Sequence, residues 1–312
     1  MRFGAAFWIQ RTDWPALRDA CLAVERAGWD SLWLDDHLLA DEGDWHDPKL
    51  EGWSTLAAVA AITERVRLGL LVSANTFRNP GLTAKLATTL DNISGGRAIL
   101  GLGGGWFERE HDAFGIDFGS GFGERLDRLD ESVGVIRRLL DGETVTHKGQ
   151  FYEMRDALCR PRPIQTRLPI LIGGSGPRKT LRTTARYADM WNAYGSPDVI
   201  AASDAVLRDH CRDLGRDERE IARTVTQDAW IRDTPGAARA AYDVSAAIHG
   251  LEAKTDVDGN RDVLMTGPPA TIAEQLRPYA AVGVDEVIWI FRHPFDLETI
   301  ERVDEVRGAL VG

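Results

Sequence analysis

The chain has 312 residues, 44% hydrophobic and 27% charged, which is an ordinary soluble composition and long enough for one α/β barrel with a sizeable core. A formal net charge of −11 with no basic stripe disfavours nucleic acid and anionic membrane as partners. Cys21, Cys159 and Cys211 show no CxxC spacing and read as reduced thiols. The amino terminus lacks the apolar stretch of a signal peptide, so a cytoplasmic location is expected.

Strands are expected over residues 2–9 and 30–36, with a helix over 14–27 between them. A polar loop, 38–52, carries Trp45 and His46 and leads to a helix over 53–63. The stretch 65–106 organises the rest. Residues 65–73 form an apolar run bounded by charge, as a strand buried on both faces does. Asn79-Pro80-Gly81 opens a helix in which Leu82, Leu86, Leu90 and Ile93 share one face, and Ser94-Gly95-Gly96 ends it. Residues 97–102 are a second apolar run that empties into Gly103-Gly104-Gly105. A strand–helix–strand unit of this length makes two parallel neighbours, with ligands beyond the carboxyl ends of the strands. The turns 72–76 and 103–106 both lie at that end and are read as two walls of one site.

A short helix is expected over 107–114, a long amphipathic one over 124–140 and a small hairpin over 144–153. Further strands are expected over 168–172, 189–193, 220–231 and 285–292. Helices alternate with them up to 187 and over 197–214, 235–248, 268–282 and 297–310, while 250–262 is polar and irregular. Eight strands alternating with helices, with no linker and no repeat, predict a single (β/α)8 TIM barrel over 1–312 with loop insertions at its C-terminal mouth.

Three features carry chemistry. Gly101 to Trp106 fails as a dinucleotide fingerprint, because the last required glycine is Trp106. Its consecutive glycines suit either a tight turn or the close approach of a flat ligand. Gly173-Gly174-Ser175-Gly176, after a strand and before a helix expected from Pro177, forms either a nest of N–H groups for phosphate or a turn needing small residues. Asp36-His37 closes a strand on the catalytic side, where a histidine transfers protons or simply hydrogen-bonds the strand end. Trp8, Trp45 and Trp106 stand at strand ends or loops and could line a pocket for a planar or apolar substrate. The histidines lack metal spacing, so no metal is expected.

Residues 65–106, followed by LPILIGGSGPRKTLRTTARYADMWN, resemble the bacterial luciferase-like superfamily, most closely its deazaflavin branch, which uses coenzyme F420. The resemblance implies a barrel binding that coenzyme at its mouth and moving a hydride to or from a small organic substrate. Leu71-Val72 falls where such proteins carry a bulge with a non-prolyl cis peptide behind the ring. Ser73 and Asn75 would face the ring's polar edge, and Gly103, Gly104 and Gly105 would pass beside it. Gly173, Gly174, Ser175 and Gly176 would hold phosphate. Arg178, Lys179 and Arg182 are candidates for the coenzyme's acidic tail. His37 would exchange the proton, with Asp36 orienting it or touching the ring. Where the sugar-phosphate dehydrogenases carry a glutamate this chain has Trp106, which points to a more apolar substrate; Glu108 and Glu110, on the next helix, need not reach the site. The family also suggests a homodimer. Two alternatives stand beside this: a reduced-FMN-dependent monooxygenase, and a non-catalytic cofactor-binding barrel.

Overall fold

Apolar runs without alternation become strands buried on both faces. In the computed structural model, which describes residues 1–251 and 264–311, every residue of Phe3 to Trp8 and of Glu286 to Arg292 is buried. Eight such strands lie parallel: β1 (Arg2–Trp8), β2 (Ser31–Leu34), β3 (Arg67–Leu70), β4 (Ala98–Gly103), β5 (Ile170–Gly173), β6 (Met190–Ala193), β7 (Ala222–Ile231) and β8 (Glu286–Arg292). Each pairs with the next, and β8 pairs with β1, which closes the (β/α)8 barrel. Among the described residues no helix is long and apolar enough to cross a membrane.

Side chains fill the interior. Ala6, Trp33, Ile99, Leu171, Met190 and Ile288 form a cluster of their own, apart from the larger core shared with the helices. Trp33 is fully buried, and Gly69 on the neighbouring strand makes room for it, since a Cβ there would lie 2.5 Å from the indole.

Four departures from the sequence expectation matter. Strand β2 ends at Leu34, so Asp36 and His37 stand beyond it. The expected strand 65–73 breaks after Leu70, although the cis Leu71–Val72 peptide there is as the resemblance implied, and Ser73–Ala74 pairs separately with Leu102 and Gly103. On the helix Pro80–Ser94 only part of the apolar stripe is buried, Leu90 and, packed against the core, Leu86. Leu82 and Ile93 are exposed, while Thr83, Ala84, Ala87 and Thr88 are buried, because small residues let the helix approach its neighbours closely. A further strand, Leu264–Gly267, extends β7 beyond the barrel. Residues 252–263, most of the expected irregular loop, lie outside the described residues.

Candidate active site

The carboxyl ends of the strands surround a cavity of about 560 Å³. It is lined by Trp8, Asp36, His37, Leu71, Val72, Gly103, Gly104, Gly105, Trp106, Gly173, Gly174, Ser175 and Gly176. Three of the expected site residues stand elsewhere. Trp45 is outside the cavity, stacked on His46 and covered by the Arg109 guanidinium at 4.3 Å. Ser73 and Asn75 are buried behind the wall; Asn75 donates to the Tyr152 hydroxyl at 3.1 Å.

One bulge accounts for several glycines. Val72 projects between β4 and β5, so a Cβ at Gly103 would lie 2.7 Å from its Cγ2, and one at Gly173 would lie 3.1 Å from both its methyl groups. A Cβ at Gly101 would overlap the Leu70 carbonyl oxygen. The body that approaches these glycines closely is therefore the protein's own chain, which is a sufficient reason for them without a ligand.

Asp36 anchors this bulge rather than the histidine. Its buried carboxylate accepts from Ser73 Oγ at 2.6 Å, and from Arg78 Nη1 at 2.6 Å and Nη2 at 3.0 Å. Arg78 also donates to Glu51 at 2.9 Å, and Glu51 caps the helix Gly52–Ile62. Asp36 and His37 turn apart because consecutive residues past a strand end point to different sides.

His37 is held from the other direction, by Glu110 and Asp41. Its Nδ1 lies 2.9 Å from Glu110 Oε1, and Glu110 Oε2 accepts from the Leu38 N–H at 2.8 Å. Glu110, which by its place on the next helix need not have reached the site, is buried and lines the cavity because its short helix, Glu108–Phe114, turns a polar face inward. Asp41 Oδ2 lies 3.8 Å from Nε2. Lys49 bridges Asp41, at 3.0 Å, and Asp35, whose other oxygen takes the Ile9 N–H at 3.0 Å. Burial works against a charge on His37, yet the Asp41 and Glu110 carboxylates outweigh it and raise its pKa above the ordinary value. Burial pushes Asp41 up, but His37 and Lys49 together hold it low.

Across the cavity, Arg292 closes β8. Its guanidinium donates to Glu42 at 2.6 and 3.0 Å and to Asp228 at 2.5 Å. Tyr194, Gln227 and Tyr242 complete that wall. Among the described residues no group of three or more His, Cys, Asp or Glu side chains could hold a metal ion.

The glycine turn fits a phosphate-bearing group. Gly174 has φ +116°, and the helix begins at Thr180, three residues later than expected. The N–H groups of Ser175 and Gly176 have no acceptor among the described residues, so both remain available to an anion. Beside the turn runs a surface groove of about 810 Å³ that includes Arg138, Arg178, Lys179, Arg182 and Arg186. Lys179 is tied to Asp127 and Arg186 to Asp130.

The family model for luciferase-like monooxygenases matches residues 1–286. An F420-dependent glucose-6-phosphate dehydrogenase of Microbacterium testaceum is 37% identical over 211 residues, 66% of this chain and 60% of that one. A phthiodiolone/phenolphthiodiolone dimycocerosates ketoreductase of Mycobacterium sp. is 33% identical over 242 residues, 68% of this chain and 62% of that one. The chain thus spans about three fifths of the length of these curated relatives. Among solved structures, an F420-dependent secondary alcohol dehydrogenase superposes with a TM-score of 0.84 at 19% identity, covering 99% of this chain and 98% of that one. The F420-dependent tetrahydromethanopterin reductase of Methanopyrus kandleri gives 0.78 at 22% identity, covering 99% of both; at these identities the likeness speaks for the fold. With the barrel closed and the family model covering nearly its whole length, the chain belongs to the luciferase-like monooxygenase family.

Proposed function

We propose that this protein is an oxidoreductase that uses the deazaflavin coenzyme F420 and moves a hydride between it and a small uncharged organic molecule. The observation that carries the proposal is the single cavity in which a carboxylate-held histidine faces the Val72 bulge and the glycine turn with its two free N–H groups. Leu71, Val72 and Gly103 to Gly105 would back the ring, and Gly173 to Gly176 would take the phosphate. Asp36, Ser73 and Arg78 would hold the bulge in place from behind. When bound, the reduced coenzyme supplies the hydride, while the protein orients, excludes water and handles the proton.

F420 is favoured over FMN by the groove beside the glycine turn. Among the described residues Arg178 and Arg182 line it without an ion-pair partner, alongside Asp127, Asp130 and Glu131, and these two cations would meet an acidic tail. The relatives named as F420-dependent glucose-6-phosphate dehydrogenases agree with F420. Their sugar-phosphate substrate is not carried over. The guanidinium at the cavity, Arg292, is already matched by Glu42 and Asp228, and Trp106 stands 58% exposed at the rim. That wall suits an aldehyde, ketone, imine or enone with an apolar or aromatic body. The exposed Leu82 and Ile93 would meet a second copy of the chain in a homodimer.

Equilibrium fluorescence quenching with oxidised F420 and with FMN, side by side on the purified protein, tests the cofactor. Tight F420 and weak FMN binding is the expected result; the reverse would move the protein to the oxygen-using branch.

A further inference from the structure

Resting on the proposed hydride-transfer reaction, we infer that Glu110 and Asp41 are positioning residues that keep His37 doubly protonated, so that it gives a proton to the substrate rather than taking one.

A neutral imidazole has one N–H and one lone pair. Here a carboxylate faces each nitrogen. Glu110 takes the Nδ1 proton at 2.9 Å and is itself fixed by the Leu38 N–H. Asp41 stands 3.8 Å from Nε2. A lone pair on Nε2 would face that anion, whereas a second proton is attracted to it. The side chains of His37, Asp41 and Glu110 are 15%, 7% and 1% exposed, so solvent screens the three charges weakly. The other groups facing the ring do not reverse the balance. Asp35 adds a further negative field from the same loop. Lys49 is shared between Asp35 and Asp41, Arg78 is held by Asp36 and Glu51, and Trp106 and Phe107 present rings at 5.4 and 5.9 Å.

The chemistry then balances as a reduction. A carbonyl becomes an alcohol when its π bond opens, carbon gains a hydride from the reduced deazaflavin and oxygen gains a proton. The Nε2–H bond of His37 breaks and the O–H bond of the product forms. The imidazole left behind is neutral, still donates through Nδ1 to Glu110, and regains its proton from water.

The test is a titration of the cofactor-free chain labelled with 15N-histidine, followed by long-range 1H–15N NMR, with the His37 signals assigned by their loss in His37→Gln. His37 is expected to titrate above the ordinary 6.5. Glu110→Gln and Asp41→Asn should each bring it down by about one unit or more. A wild-type value at or below 6.5, or two variants that leave it unmoved, overturns the inference. Should either variant fail to fold, the wild-type titration still decides. Because no cofactor is present, failure here leaves the coenzyme proposal standing, and a failure of F420 binding leaves the charge state of His37 as measured.

Discussion

Asp36→Asn separates two roles for the strand-end carboxylate: anchor of the bulge or orienter of the histidine. The side chain has no exposed surface, and its contacts are Ser73 Oγ at 2.6 Å and the two Arg78 nitrogens at 2.6 and 3.0 Å. Asparagine keeps the shape and one acceptor but removes the charge and can turn an N–H toward the guanidinium. Removing one partner of a buried ion pair costs about 3–5 kcal/mol. Arg78 keeps a second carboxylate, Glu51 at 2.9 Å, on a side chain 39% exposed, so the expected loss is at the lower end, about 3 kcal/mol. Ser73 follows directly on Leu71–Val72, and loosening it should weaken F420 binding while leaving the His37 titration in place. Urea unfolding, F420 quenching and histidine NMR on the one variant read the three quantities. A cost below about 1 kcal/mol, or a displaced His37 titration with F420 affinity intact, would refute the anchoring role.

Gly103→Ala places a methyl group 2.7 Å from Val72 Cγ2 and should destabilise by about 1–3 kcal/mol through overpacking; urea unfolding unchanged from wild type would mean the glycine serves a ligand instead. The pH dependence of stability has a definite sign. The folded pKa of His37 is raised above 6.5, so its contribution is complete below pH 6.5 and is lost as pH rises through the folded value. The stability difference between wild type and His37→Gln should therefore shrink over that rise, and a difference that grows with pH contradicts the carboxylate cage. Glucose 6-phosphate should reduce F420 no faster than buffer, because Arg292 is already matched by Glu42 and Asp228; steady turnover seen by F420 absorbance would show that the phosphate finds a cation after all.

What the sequence made legible was whatever depends on near neighbours along the chain. Runs such as Phe3 to Trp8 and Glu286 to Arg292 announce buried strands by their composition, and eight of them alternating with helices leave a closed barrel as the simplest way to cover both faces. The charge network was hidden for a physical reason. Its partners lie 14, 42, 73 and 250 positions apart, as Asp35–Lys49, Asp36–Arg78, His37–Glu110 and Glu42–Arg292. Taken in their own loop or short helix, Asp41, Glu42, Lys49 and Glu110 look like solvated surface residues. The helix Pro80–Ser94 misled through size. Leucines mark a face that avoids water, and Leu90 does so, but the barrel also takes Ala84, Ala87 and Thr88 for close approach and leaves Leu82 and Ile93 exposed. Part of what the glycines make room for lies within the protein itself. Gly101, Gly103 and Gly173 sit on two strands, and all three give way to the segment Leu70 to Val72. A glycine cluster at a strand end thus asks first which part of the protein needs the space, and Val72, wedged between β4 and β5, is the answer here. Val72 itself lines the cavity, together with Gly103, Gly173 and the histidine that Glu110 and Asp41 flank.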